Sequence, residues 1–340
     1  MCLAHAGPIA CPLILLGLLR LFYCEIPHAA IHEANLRHSR VAYSCAECLR
    51  TKTYNLLVTG LRIGTSAFTA AGWPGSFYPK GLAERDFLSY YATKFDTLEL
   101  DNTFYRTPAL STVQGWNAKT PEGFIFAAKI PQIITHEKML RDCEADLNHF
   151  LRTMDALGEK LGPLLFQFGY FNKKAFAGVN DFLARLAPFL KKLPKGYRFA
   201  VEIRNKSWLV PQFVEALRER GVALTLIDQS WMPRPAEWFT KFDPITTDFC
   251  YVRLLGDRKG IEQQTKTWDK VIVDRGAELS EWKKLSEPIV RRGVKLYVYV
   301  NNHYSGCGFV TAEQFRGLWE AANKGGRIPK AKREIGTLFD

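Results

Sequence analysis

The chain has no apolar run of the length that crosses a membrane. The run Ile9–Leu19 stops at Arg20 after 11 residues, where a spanning helix needs about 20. No Lys or Arg precedes that run, so the basic start of a secretory signal is missing and a cytoplasmic location is expected. Cysteine is scarce in the body. Five of the eight cysteines fall within the first 48 residues, leaving Cys143, Cys250 and Cys307, which excludes a disulfide framework. Cys45 and Cys48 have CxxC spacing, but no second pair completes a zinc set. Three catalytic signatures are also absent. Gly64-Thr65-Ser66-Ala67-Phe68 is not a GxGxxG dinucleotide loop, and neither a GxSxG elbow nor an HExxH zinc motif occurs.

What is present fits a globular protein of 340 residues, 47% hydrophobic and 24% charged. Lys and Arg number 46 against 34 Asp and Glu, a net +12. Residues 1–60 carry +2 of it, 61–323 carry +7 and the basic tail 324–340 carries +3. So diffuse an excess favours anionic ligands in general without marking out a nucleic-acid groove. Residues 1–60 are expected to be an atypical extension, poorly ordered or an over-long translated start, outside the fold.

From residue 61 short β-branched and aromatic runs alternate with amphipathic stretches, the pattern of repeated βα units. The runs are Leu61–Ser66, Thr97–Phe104, Phe124–Pro131, Leu164–Gly169, Arg198–Asn205, Ala223–Gln229, Phe249–Gly256 and Lys295–Asn302. Helices are expected at 84–94, 110–119, 142–160, 174–193, 210–220, 278–292 and 308–323. The connection 230–248 reads as loop because Pro233, Pro235 and Pro244 punctuate it. Eight units predict one closed (β/α)8 barrel of the TIM type, an α/β fold, over residues 61–323. An open doubly wound sheet is the alternative.

In such a barrel alternate strand residues face the interior, and chemistry collects where the strands end. Alternation turns Glu99 and Asp101 inward, likewise Glu202 with Arg204, and Arg253. Lys129, Gln167, Asp228 and Asn301 lie near the ends of strands three, four, six and eight. Burying such charges costs several kcal/mol per ion unless they are well paired, so a ligand site is one reading and a self-satisfied ion plug the other. Trp73, Phe77, Tyr78, Tyr105, Trp208 and Trp231 follow strands on the same face, either to stack a ring-bearing ligand or to cap the barrel as core. His303, after Asn301-Asn302, is the best-placed general acid/base.

Several further chemistries fit less well. Mg²⁺ held by Glu99, Asp101 or Glu202 is an alternative, since Mg²⁺ needs few protein ligands; no other cofactor is expected. Glu99 and Glu202 could form a glycosidase pair, but the usual acid positions, on strands four and seven, hold Gln167 and Arg253. A Schiff base on Lys129 competes with an ion pair to a nearby carboxylate.

These residues resemble a known family. Gly64-Thr65-Ser66, Trp73-Pro74-Gly75-Ser76-Phe77-Tyr78-Pro79 and Glu99-Leu100-Asp101-Asn102-Thr103-Phe104-Tyr105-Arg106 are similar to the YecE-like family, a domain of unknown function. Ile134-Thr135-His136, Leu161 to Gln167, Val201-Glu202-Ile203-Arg204 with Ser207-Trp208, Tyr251-Val252-Arg253-Leu254 and Tyr297 to His303 continue it in order. The resemblance covers residues 61–323 and implies a TIM-type barrel with a polar pocket, but no activity. The chain departs from the family pattern at Asp101, where Asn is usual, and at Ala67-Phe68, where Gly-Trp or Gly-Tyr is usual.

The leading expectation is a pocket for a small anionic or ring-bearing ligand, used for acid/base hydrolysis or lysis of a sugar-phosphate or nucleotide-like compound. Glu202, oriented by Arg204, is then the acid or base, with His303 and Glu99 as partners. Lys129 and Arg253 hold the anion, and Tyr105 and Trp208 stack the ring. Asp101, Gln167, Asp228, Asn301 and Asn302 complete the binding set. The rival classes are a non-catalytic module for nucleic acid or protein, and a Mg²⁺-dependent nuclease.

Overall fold

The computed structural model describes residues 60–323. The extension and the basic tail that the sequence suggests lie outside the described residues, Gly60 excepted. Eight parallel strands form a nearly closed barrel: β1 Leu61–Thr65, β2 Thr97–Leu100, β3 Ile125–Lys129, β4 Leu161–Gln167, β5 Phe199–Glu202, β6 Ala223–Gln229, β7 Phe249–Gly256 and β8 Lys295–Val300. Their order around the sheet is β1-β8-β7-β6-β5-β4-β3-β2, with helices between consecutive strands, so the eightfold series closes as expected.

The seam between β1 and β2 depends on two residues. A Cβ at Gly64 would fall 2.0 Å from the Thr97 carbonyl oxygen, so only glycine admits the approach. Across the seam the Tyr91 hydroxyl accepts from the Thr65 N–H at 2.9 Å and donates to the Thr97 carbonyl at 3.1 Å. A side chain thereby satisfies backbone groups of both strands. Tyr91→Phe leaves both buried groups unpaired and is expected to cost about 1–3 kcal/mol. Urea unfolding should show the midpoint falling with its slope unchanged.

Alternation sorts the strands as the sequence suggests. Cys250, Val252 and Leu254 of β7 pack in the outer core beneath the helices, while Phe249 and Tyr251 join a separate inner cluster. In that cluster Phe249, Tyr251, Tyr297 and Tyr299 of β7 and β8 face Ala127, Ala200 and Ala223 of β3, β5 and β6. Large side chains on one wall, with small ones and Leu165 of β4 on the other, pack together in the lumen.

The connections hold the departures. The segment 230–248 is not all loop: helix Pro235–Phe239 forms there, because proline fits the first helical position and Glu237 accepts from the Arg234 N–H at 2.9 Å. Helix Arg258–Gln264 is likewise unexpected. The expected 142–160 helix stops at Met154 and continues as a tight turn, with Gly158 at φ 57. After β3 comes a single π-helical turn, Ile133–Glu137. Just beyond it lie Met139, Leu140 and Asp142, the non-glycine residues with positive φ among those described. Such backbone is costly and persists where packing enforces it.

Candidate site at the carboxyl end of the barrel

The interior at the carboxyl ends of the strands is crossed by an ion network anchored on Arg253. Its guanidinium donates to Glu99 from Nε at 3.2 Å and Nη2 at 2.7 Å, and to Glu202 from Nη1 at 2.9 Å. The second oxygen of Glu99 accepts from the Tyr251 hydroxyl at 2.6 Å. Glu202 Oε1 accepts from Arg204 Nε at 2.6 Å, and Arg204 also donates to Gln229. Glu99, Glu202 and Arg253 are buried. Burial pushes the Glu202 carboxyl up, but Arg204 and Arg253 outweigh it, so its pKa lies below the ordinary range. Burial opposes the charge of Arg253 too, and Glu99 and Glu202 overcome it.

This arrangement redistributes the expected roles. Every oxygen of Glu99 and Glu202 already has a donor, and Glu202 is held ionised, so neither is disposed to trade protons with a ligand. Arg253, 3% exposed, ties carboxylates together rather than reaching for an anion. Its guanidinium occupies the place between the Glu99 and Glu202 carboxylates. Among the described residues no group of three His, Cys, Asp or Glu is disposed to hold a metal.

Closer to solvent, Lys129 Nζ pairs with Asp101 at 2.9 Å and lies 3.9 Å from the centre of the Phe104 ring. The Lys129 side chain is 8% exposed and that of Asp101 37%, so the pair marks the solvent edge of the network. Arg204 lies within 5.9 Å of the Trp231 ring. Gln167 is the strand neighbour of Glu202 and half-buried.

The two histidines at this end differ. His303 Nδ1 lies 2.6 Å from Asn301 Oδ1, and its Nε2 lies 2.9 Å from Glu262. Asn301 Oδ1 also accepts the His303 backbone N–H, and Asn302 Oδ1 accepts the Gly308 N–H, where helix Gly308–Asn323 starts. Both asparagines thus hold their own loop, and both nitrogens of His303 are engaged. Burial lowers its pKa against the pull of Glu262. His136, on the π-helical turn, has Nδ1 engaged, 2.8 Å from Thr135 Oγ1, and no hydrogen-bond partner for Nε2 among the described residues; its ring meets Phe104 edge-on at 5.1 Å. Burial, then the charges of Lys129 and Arg204, lower its pKa.

Two expected members lie elsewhere. Asp228 faces the helices, where it accepts from Arg234 at 2.9 Å, Trp282 at 2.8 Å and Tyr304 at 2.9 Å. Leu224, Leu226 and Asp228 share one face of β6, and that face is the outer one. Trp208 is buried, stacked on Phe182 at 4.8 Å and near Phe171, so it is core and not a ligand platform. Trp73, Phe77 and Tyr78 are also core. The exposed rings are Tyr105 at 71%, Tyr170 at 73% and Trp231 at 52%, which follow β2, β4 and β6. Tyr170 and His136 are absent from the expected set, as are Tyr251, Gln229, Phe104 and Glu262, which contact its members. In the sequence His136 stands out only through the motif Ile134-Thr135-His136, which says nothing of its place in the site, and nothing separates Tyr170 from its aromatic neighbours before folding.

Known proteins supply further findings. The sequence pattern of a family described as "Protein of unknown function DUF72" matches residues 62–334. UPF0759 protein YunF of Bacillus subtilis (strain 168) is 30% identical over 261 residues, covering 69% of this chain and 88% of that one. UPF0759 protein YecE of Escherichia coli (strain K12) is 30% identical over 146 residues, 42% of this chain and 52% of that one, so the match spans about half of that relative. A crystal structure of a DUF72 family protein from Thermotoga maritima superposes with TM-score 0.61 at 29% identity, covering 76% of this chain and 99% of that one. A DUF72 family protein from Enterococcus faecalis, 20% identical, gives TM-score 0.58 over 76% of this chain and 95% of its own, and shares the fold.

Proposed function

Since the chain belongs to the DUF72 family, whose description assigns no activity, we propose from its own residues that the barrel mouth binds a small, ring-bearing anion, a sugar-phosphate or nucleotide-like compound, for acid/base hydrolysis or lysis. The observation that carries this reading is a convergence. The exposed rings Tyr105, Tyr170 and Trp231 follow alternate strands at the same barrel end as Lys129, Arg204 and Asp101. Flat apolar faces beside cationic donors suit a ligand with a ring and an oxyanion. In this reading Lys129 and Arg204 hold the anion, each keeping N–H groups beyond its carboxylate bonds. Glu99, Glu202 and Arg253 form the rigid floor.

Thermal unfolding of the full chain with ribose 5-phosphate, AMP, short DNA, short RNA and Mg²⁺, each at low and moderate salt, tests it. A ligand at about 100 times its dissociation constant adds about 2.7 kcal/mol to stability. One of the two phosphates should stabilise the wild type, and both Lys129→Met and Trp231→Ala should abolish the gain. Stabilisation by DNA or RNA alone, lost steeply with salt, would replace this reading with nucleic-acid binding. Stabilisation by Mg²⁺ alone would favour the nuclease.

A further inference from the structure

We infer that His136 is the proton-carrying residue of this site, and that it becomes imidazolium when an oxyanion settles between Lys129, Arg204 and its free Nε2. The inference rests on the anion-binding reading above and names the residue that gives it acid/base chemistry.

Three features of the structure point to His136. The first is how the chain delivers it. β3 ends at Lys129, and the π-helical turn Ile133–Glu137 follows within a few residues, so the cation and the imidazole come from one strand end. π-turns are rare and recur at functional sites. Beyond the turn, Met139, Leu140 and Asp142 all adopt left-handed backbone, at φ 47, 67 and 45. Three costly conformations in four residues show that packing dictates this loop, and with it the position of the ring.

The second is the hydrogen bonding of the ring. Thr135 Oγ1 fixes Nδ1, and among the described residues no protein group bonds Nε2. Space for Nε2 comes from Gly169, just past β4, where a Cβ would stand 3.1 Å away. His303 lacks such freedom, since Asn301 and Glu262 occupy both its nitrogens.

The third is the charge around it. The charges of Lys129 on β3 and Arg204 beyond β5 act on the ring, backed by Asp101 and Glu202 respectively, and Lys129 Nζ and the imidazole both pack on the Phe104 ring, at 3.9 Å and 5.1 Å. Among the described residues no carboxylate is paired with the imidazole, and burial first, then the two cations, lower its pKa, so with the site empty the ring is neutral near pH 7. An arriving oxyanion reverses the balance, offsetting both cations and accepting a bond from Nε2. The imidazole then takes one proton from solvent. Passing it to a ligand oxygen would form an O–H bond and restore the neutral ring.

The test uses sulfate, whose charge is constant across the working pH range, so any pH dependence belongs to the protein. Coupling is reciprocal: if sulfate raises the pKa of His136, sulfate must bind more tightly as pH falls through that pKa. For the full chain, affinity by calorimetry should rise on the order of tenfold between about pH 7.5 and about pH 5.5. His136→Gln should bind sulfate with a flat profile, while His303→Asn should keep the wild-type slope. Should His136→Gln perturb folding, the imidazole ¹⁵N resonances of the wild type decide directly: His136 should titrate low alone and higher with sulfate. A slope that persists in His136→Gln, or a His136 titration indifferent to bound sulfate, overturns the assignment to His136 and leaves the anion site standing. No sulfate binding by the wild type at either pH overturns the anion site, and the inference with it.

Discussion

Arg253→Met should lower the stability of the barrel by about 3–5 kcal/mol, the usual cost of removing one partner from a buried ion network. The substitution keeps the volume of the side chain but leaves Glu99 and Glu202, both 0% exposed, without the cation they share. Arg204 still holds one oxygen of Glu202, and Tyr251 one oxygen of Glu99. The pH dependence has a definite sign. In the wild type Glu202 has a lowered pKa, so its contribution is present above the ordinary carboxylate range and fades as pH falls through the folded value. In Arg253→Met burial of Glu202 is opposed by Arg204 alone, so its carboxyl rises and the variant gives up less stability than the wild type on acidification. Urea midpoints of the two proteins should therefore converge between neutral and mildly acidic pH. A constant gap, or a loss below about 1 kcal/mol, would mean that water reaches and satisfies the carboxylates and that the network contributes little.

Trp208→Ala should also cost about 3–5 kcal/mol, because the indole fills the outer core against helix Val179–Lys191. The informative part is what stays unchanged. Trp208 is 4% exposed and packs among Phe171, Phe176 and Phe182, so ligand and sulfate affinity measured well below the unfolding transition should match the wild type. Trp231→Ala should do the opposite, sparing stability and weakening ring-bearing ligands. Loss of affinity in Trp208→Ala at full folding would return that indole to the site.

These contrasts mark where sequence suffices. Period-two alternation within a strand turned Glu99, Glu202 and Arg253 inward, since a side chain on a pleated strand has only two choices of face. It also carries the correct answer for Asp228, which shares a face with the outward Leu224 and Leu226. Its charge and its nearness to a strand end are what suggested an inward position. Beyond the strand ends no period operates. Whether Trp208 or Tyr170 meets solvent depends on how the connection after each strand folds back, which is tertiary information. His136 is hidden for the same reason: a π-turn followed by three left-handed residues leaves no mark in hydrophobic spacing. The seam at Gly64 lies between, visible as a glycine in a strand but explained only by the nearby Thr97 carbonyl.

The network at Arg253 has a consequence for how the chain folds. Arg253 lies 154 residues from Glu99 and 51 from Glu202 along the sequence, and from its place on β7 it draws these partners from β2 and β5. A half-barrel made of the first strands would hold Glu99 and Glu202 without their cation, and so would keep both hydrated and its lumen wet. Drying of the lumen, arrival of β7 and pairing of the charges are thus one event, placed late by the long loops it must close. Partly assembled sheets gain little before that step, so the eight units, although repeated in sequence, are bound into a single cooperative transition.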